Sequence, residues 1–391
     1  MDLREQTMEY RKLKTINDYI RKSVNPAKLP DTLFEMYSVP IFETGHPEYL
    51  LGREIASNKT VVQKNDILLC KINPRINRVW IVADESENPN IASSEWIVVR
   101  SSKYNPEFLA WYFRSPRFKN LMTSEVTGIG GSLTRAQPKS VAEYPVPVLE
   151  KPEQDAIAII FNTVDTIIKK RRKQLQKLDE LVKARFVEMF GDCVLNTKGW
   201  KAKRLGDIAE VGSSKRVFVE DLKESGIPFY RGTEIGALAD GKTVTPELFI
   251  SKEHYAELCI ATGAPNIGDL LMPSICPDGR IWVVNTEKPF YFKDGRVLWV
   301  HAIDDSYNPV FLLYTLKDRI MSDYSSIASG TTFAELKIFA LKECHVFDVP
   351  LELQNQFAAF VNQTDKSKVA VQKALDEAQL LFDSLMQKYF G

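Results

Sequence analysis

The sequence predicts an α+β protein in which two similar mixed β-rich domains sit at opposite ends of an antiparallel two-helix coiled coil, related by an approximate two-fold axis. Three observations predict this. The stretch from Pro152 to Gly191 is echoed by Glu352 to Gly391 at a constant offset of 200 residues, without a gap. Both stretches carry apolar residues in steps of four and three, the period of a coiled-coil seam. The segments ahead of them replay one another in order, so the whole chain is a duplication of globule plus helix.

The two long stretches share Gln154/Gln354, Ala158/Ala358, Asn162/Asn362, Asp165/Asp365, Lys173/Lys373, Leu175/Leu375, Leu181/Leu381 and the endings Phe190-Gly191/Phe390-Gly391. Each follows a proline-bearing extended run and holds no further proline or glycine until its last residue, which describes an uninterrupted helix stopped by glycine. The predicted seams are Val164, Ile168, Arg171, Leu175, Leu178, Val182, Arg185 and Met189, and Thr364, Lys368, Val371, Leu375, Ala378, Phe382, Leu385 and Tyr389. About 39 residues rising about 1.5 Å each make a rod of roughly 58 Å. A compact globule between the helices joins the end of one to the start of the other, so they run antiparallel. Ile157, Ile160, Phe161, Ile167, Leu181 and Phe186 widen the first stripe beyond a two-helix seam, which predicts surface for a third partner.

The boundaries follow: a first globular domain over 1–145, a first helix region over 146–192, a second globular domain over 193–345 and a second helix region over 346–391. In the first globule KLKTINDYI reads as a strand and Phe34 to Phe42 as an extended run. Strands are also expected at Asp66 to Ile72, Val79 to Val82, Glu95 to Val99 and near Tyr144, with a helix from Pro106 to Thr123 and a flexible loop TGIGGSLTRAQ. The second globule answers with KRLGDIAEV, GDLLMPSICPDGRIWVV, GRVLWV, NPVFLLYTLK and ASGTTFAELK, at offsets that drift between 192 and 203 as loop changes require.

At 391 residues, 44% hydrophobic and 26% charged, the chain can bury two cores. No run approaches the ~18 apolar residues of a membrane span, and MDLREQTMEYRKLK has no signal core, so a cytoplasmic location is expected. Five cysteines (Cys70, Cys193, Cys259, Cys276, Cys344) without CxxC pairing suit free thiols. The four histidines (His46, His254, His301, His345) show no metal spacing; Cys344 and His345 read as filler in a strand. Charge is balanced at 51 basic and 51 acidic residues. Because non-specific DNA affinity comes from phosphate neutralisation, balance means either no DNA role or basic residues gathered on one face.

Catalytic constellations are poorly represented. Asn73-Pro74-Arg75 lacks the second proline and the aromatic that a base-flipping aminomethyltransferase needs. Gly128-Ile129-Gly130-Gly131 does not open a βαβ helix, no GxxxxGK[ST] is present, and Pro277-Asp278 with Glu335-Leu336-Lys337 is spaced too widely to read as a nuclease metal site. No catalytic residue, metal or cofactor is assigned to the chain.

The globules instead share polar turns at matching places. Lys71 with Asn73, Arg75, Asn77 and Arg78 leaves one pair of apolar strands; Ser274, Asp278 and Arg280 leave the other. Arg reads guanine, Asn adenine and Asp the cytosine amine, although an ordinary solvated hairpin has the same composition. Gly130 to Lys139 and Gly330 to Lys337, with Ser132, Arg135, Thr331 and Thr332, could supply phosphate contacts or simply begin helices. Lys215 and Arg231 complete the candidate DNA-binding set. The basic run Lys169 to Lys173 either faces DNA or forms a solvated face.

Ser57-Asn58-Lys59 through Asn65-Asp66-Ile67-Leu68 into Lys71 to Val79, Gly226 to Gly232, Pro145-Val146-Pro147 to Gln154, and the endings Phe186 to Gly191 and Met386 to Gly391 together resemble the specificity subunit of type I restriction-modification systems. The resemblance covers essentially the whole chain. Two departures affect the bases contacted: Pro277-Asp278-Gly279-Arg280 stands where the first globule has NPRINR, and the second long helix lacks a preceding Pro-x-Pro pair.

The resemblance implies a non-catalytic DNA-specificity subunit. Each globule would be a target-recognition domain reading one half of a bipartite target in double-stranded DNA, with the helices setting the spacer. Two DNA methyltransferase (modification) subunits carrying S-adenosylmethionine would dock on the helices, joined by ATP-driven restriction/motor subunits. A specificity subunit of a combined nuclease-methyltransferase (type IIB-like) system, a stand-alone nuclease or methyltransferase, and a purely structural coiled-coil adaptor are the alternatives.

Overall fold

The computed structural model describes residues 9–83, 85–124, 126–127, 134–330 and 334–391. The chain forms two compact units, Met1–Lys173 with Gln372–Gly391, and Gln174–Val371. The long helices Lys151–Phe190 and Leu351–Phe390 are each continuous, and each gives one part of its length to either unit.

In the first unit Phe161, early in one helix, packs on Phe382, Tyr389 and Phe390, late in the other. In the second unit Phe186, late in its helix, meets Phe357, early in its partner. Within each unit the pairing is therefore antiparallel. The predicted seam is right on both helices: every seam position is buried or half-buried, and most of their neighbours are exposed. Lys368, where the first helix has Ile168, places a charge in the seam. Asp179 of the facing helix meets its ammonium at 2.7 Å and Asp365 at 3.2 Å. Burial is the largest single influence and would lower the Lys368 pKa, but the hydrogen bond to Asp179 and the charges of Asp179 and Asp365 together exceed it and the net shift is upward. A paired polar group in a seam fixes register, because sliding by a turn would strand it.

The widened stripe is largely consumed inside the units. Ile157, Phe161 and Phe186 are buried and Ile160 is half-buried, whereas Ile167 and Leu181 stay exposed. The expected six-residue free surface thus shrinks to two, because the globules cover the helix ends. In the basic run Lys169, Lys170, Arg172 and Lys173 are exposed, and Lys169 is tied to Asp165 of its own helix at 2.7 Å.

The first unit contains a five-stranded sheet in the order Ser23–Val24, Lys59–Val61, Asn90–Ala92, Leu33–Tyr37, Glu48–Leu51, and an antiparallel sheet in the order Val79–Ile81, Ile67–Cys70, Trp96–Val99. Tyr10–Lys12 pairs with Pro145–Pro147. KLKTINDYI is therefore not one strand: after Lys12 the chain makes a helical turn, Leu13–Ile16, whose Leu13 and Ile16 point into the core. The expected single helix is two, Pro106–Arg114 and Pro116–Ser124. Pro116 lacks the N–H that would continue the ladder, and Ser115 ahead of it is extended.

The second unit has an antiparallel sheet in the order Glu210–Gly212, Val297–His301, Leu270–Pro273, Trp282–Val283 and a small mixed sheet Phe249–Ile250, Ile227–Tyr230, Tyr291–Phe292. Ala202–Arg204 pairs with His345–Phe347 and leads into the turn Leu205–Ile208, as in the first unit. With no proline at the matching point, Pro309–Ile327 runs as one helix, kinked at Asp323. The repeat holds for the antiparallel sheet, the helix behind it and the edge pair. It fails where Gly232–Ala239 and Lys252–Thr262 replace the larger sheet of the first unit.

A buried glutamine at the same repeat position joins globule to helix in each unit. Gln154 Oε1 accepts from the backbone N–H of Asn105 at 2.7 Å, and its Nε2 donates to the Leu149 carbonyl at 2.8 Å. Gln354 Oε1 accepts from Asn308 N–H at 2.8 Å, and its Nε2 donates to Val349 at 2.7 Å. Asn105 and Asn308 in turn cap Pro106–Arg114 and Pro309–Ile327. Truncating Gln354 to alanine leaves a buried N–H and a buried carbonyl without partners, so urea unfolding should show a loss of about 1–3 kcal/mol. A midpoint equal to that of the parent chain would show that the joint contributes nothing.

Candidate nucleic-acid interface

In the first unit Ile67–Cys70 is the buried central strand of the antiparallel sheet. Between it and Val79–Ile81 the chain turns through a 3-10 helix, Pro74–Ile76, bracketed by Asn73 at φ 48° and Asn77 at φ 51°. Asparagine tolerates the left-handed region better than other side chains with a Cβ, so both asparagines serve the bend of the backbone. Asn77 also donates its amide to the Phe113 carbonyl at 3.2 Å, which ties the turn to the end of the helix that Gln154 holds.

A third segment closes the site. Lys71 N–H donates to the Glu95 carbonyl at 3.1 Å, Ala136 N–H to the Lys71 carbonyl at 2.9 Å, and Asn73 N–H to the Thr134 carbonyl at 2.8 Å. The second unit repeats this stitching: Ser274 N–H donates to the Arg296 carbonyl at 2.9 Å and Leu336 N–H to the Ser274 carbonyl at 2.7 Å. By the same bonds Lys71 matches Ser274, Glu95 matches Arg296, and Ala136 matches Leu336. Here the turn bends at Gly279, at φ +64°, where a Cβ would come within 2.9 Å of Lys317. Tyr324 ties it to the helix behind, donating to the Ala334 carbonyl at 2.6 Å and accepting from Cys276 N–H at 3.1 Å. The Cys276 thiol donates to the Arg280 carbonyl, and burial pushes that thiol up to about 12.

Lys71, Asn73, Arg75, Asn77, Arg78 and Arg135 are thus gathered by one turn and its neighbouring strand; Ser274, Asp278 and Arg280 are gathered by the other. Arg75 is exposed, with no ion pair among the described residues. Lys71 Nζ is bound to the Ser94 carbonyl at 2.7 Å. Arg78 is mostly covered: its Nε is buried without a hydrogen-bond partner and stands 3.9 Å from Glu43. Arg280 forms a 2.7 Å ion pair with the exposed Asp278.

Ser274 does not project as expected. It is 2% exposed, because its N–H and C=O are both used to stitch the site together. Ser132, Thr331 and Thr332 lie outside the described residues, as does most of the glycine-rich loop. Lys215 is exposed, its backbone N–H given to the Tyr291 hydroxyl at 3.1 Å. Arg231 is committed to Glu234 and to Glu247, the latter at 2.9 Å. Burial would raise the Glu234 carboxyl, but hydrogen bonds from the Arg231 side chain, the Thr233 hydroxyl and backbone N–H groups bring it down to about 2.

The sequence reading missed the carboxylate partners. Glu95 pairs with Arg135 at 3.4 Å beside the first turn, and Glu335 pairs with Arg296 beside the second. Their signal was present, since Glu95/Arg296 and Arg135/Glu335 are repeat partners of opposite charge. Among the described residues no group of three or more His, Cys, Asp or Glu side chains is placed to hold a metal ion. No helix among them is long and apolar enough to cross a membrane.

Paired antiparallel long helices and a twice-built polar turn are the features with which known proteins can be compared. Residues 197–378 match the family described as "Type I restriction modification DNA specificity domain". The specificity subunit of the type I restriction enzyme MjaIX of Methanocaldococcus jannaschii is 23% identical over 312 residues, covering 72% of this chain and 67% of that protein. The S subunit of the type I restriction-modification system of M. genitalium has a TM-score of 0.58 at 14% identity, covering 100% of this chain and 98% of that one. A chain from a structure of complex assembly and conformational transition in the type I R-M system has a TM-score of 0.53 at 20% identity, covering 99% and 98%. At these identities the structural likenesses are of fold. The chain is thus similar in sequence, over residues 197–378, to the type I restriction modification DNA specificity domain and, along its length, in fold to the S subunit of a type I restriction-modification system.

The depressed Glu234 carboxyl fixes an acid response for the second unit. A folded-state pKa of about 2 against an ordinary 4.5 means that the stability drawn from the ionised pair is complete above 4.5 and is lost as pH falls towards 2. Glu234→Gln should flatten the fall of stability with acid across that window, as followed by urea unfolding at successive pH values. An equally steep fall in the variant would remove the Arg231 pair as its cause.

Proposed function

We propose that this chain reads DNA for a type I restriction-modification enzyme and performs no chemistry of its own. Residues 1–145 and 193–345 each read one half of a bipartite duplex target. Residues 146–192 and 346–391 set the unread spacer and dock two modification subunits, which carry S-adenosylmethionine; restriction/motor subunits supply ATP-driven cleavage. The work takes place in the cytoplasm. The observation that carries this reading is that one polar turn is built twice, by the same backbone bonds, and tied in both units to a helix that a buried glutamine fixes.

The chemistry of each turn suits base and phosphate recognition. Arg75 offers an unpaired guanidinium with five N–H donors in a planar fork, the group that reads guanine O6 and N7 or grips phosphate. Arg280 and Asp278 give the second turn a donor fork and an acceptor. The two turns carry different side chains on similar frames, so the half-sites would differ in sequence. Rigid frames matter because a base-reading donor displaced by an ångström loses its discrimination.

Mapping methylated adenines in the host with and without this gene tests the reading. Deletion should abolish methylation at one split motif, and Arg75→Ala should relax one half of that motif, costing about 1–3 kcal/mol of discrimination there while sparing the other half. An unchanged methylation map on deletion, or equal loss in both halves, would reject it.

A further inference from the structure

The ion pairs beside the two turns are inverted copies of one another. In the first unit the arginine is on the closing segment, Arg135, and the carboxylate, Glu95, precedes the strand Trp96–Val99. In the second unit the closing segment supplies the carboxylate, Glu335, and the arginine, Arg296, precedes the strand Val297–His301. The stitching bonds show that these are matching backbone positions: the carbonyls of Glu95 and Arg296 accept the N–H of Lys71 and Ser274 respectively.

Exposure does not invert with the chemistry. Arg135 is 52% exposed and Glu95 23%, while Arg296 is 56% exposed and Glu335 27%. In both units the guanidinium stands outward and the carboxylate is recessed behind it, although the two have exchanged segments. Glu95 keeps one buried oxygen without a hydrogen-bond partner, and Glu335 takes a second cation, Lys337 at 3.6 Å. A salt bridge needed only for stability has no reason to keep its arginine on the outside after the exchange, since an exposed pair contributes about 0–1 kcal/mol in either orientation. A guanidinium braced on one edge by a carboxylate keeps N–H donors on its other edge, aimed and ready for an outside acceptor.

We infer that Arg296 is a nucleic-acid-contacting residue of the second unit, the functional counterpart of Arg135, with Glu335 as the positioning residue that aims it. This rests on the DNA-reading function proposed above and adds a residue that the repeat alignment conceals: aligned by sequence, Arg135 falls on Glu335, an acid that phosphate would repel. The ligand is the phosphate backbone or a guanine edge beside the second turn.

The test uses the full chain with its host modification subunits and a labelled pool of random-sequence duplex DNA, titrated over a range of salt. Arg296→Ala should weaken retention roughly tenfold and reduce the slope of log affinity on log salt by about 1, as should Arg135→Ala, with the thermal midpoint nearly unchanged. Arg296→Glu alone should weaken retention further, and combining it with Glu335→Arg, which writes the first unit's order into the second, should recover most of it. If Arg296→Ala and Arg296→Glu leave affinity and salt slope unchanged while the parent complex retains DNA, the inference is wrong and the DNA-reading function stands. If Arg296→Ala shifts only the thermal midpoint, the pair is structural and the inference is again wrong. If the parent complex retains no duplex at low salt, the proposed function fails and takes this inference with it.

Discussion

A buried glutamine at the head of each long helix is the constraint on which the rest of either unit depends. Its amide has a donor and an acceptor that must both be satisfied away from water, and the globule supplies both. Gln154 receives the N–H of Asn105, and Asn105 caps Pro106–Arg114. The far end of that helix accepts the amide of Asn77 in the polar turn through Phe113. In the second unit Gln354 holds Asn308, Asn308 caps Pro309–Ile327, and Tyr324 of that helix binds the turn at Cys276. A fixed path of hydrogen bonds and one rigid helix therefore runs from the long helix to the polar turn in each unit.

This arrangement also shows how a chain with no net charge presents cations. Beside the turns Arg135 is paired with the recessed Glu95 and Arg296 with the recessed Glu335, Arg280 is paired with the exposed Asp278, and Arg75 and Lys215 stand without ion pairs among the described residues. The acids cancel the formal charge but leave the outward donors in place. Balanced composition thus coexists with cations grouped beside each turn.

Much of this was legible from residue spacing. The seams could be placed because an apolar period of 3.5 held over many turns fits a helix that packs along its length against a second helix. The glutamine pair was visible as an identity at the offset of 200. Other features misled for identifiable reasons. Asn73 and Asn77 read as base-contacting amides, and their positive φ angles add a backbone demand for asparagine that spacing did not reveal. Ser274 read as a projecting side chain, but its position is the stitching point of the site and is buried. The apolar residues at the helix ends read as a free surface because a linear pattern cannot show that the globule folds back over them.

The sequence by itself determined the duplication, the two uninterrupted helices with their seams, and the places where polar turns interrupt buried strands, because each of these follows from local periodicity and from where proline, glycine and asparagine permit a bend. The tertiary structure alone decided which polar side chains are left for a ligand. That depends on which backbone groups and carboxylates, distant in sequence, arrive beside each arginine or serine. For this reason the outward arginine of the pair beside the second turn is Arg296, while the residue aligned with Arg135 is an acid set behind it.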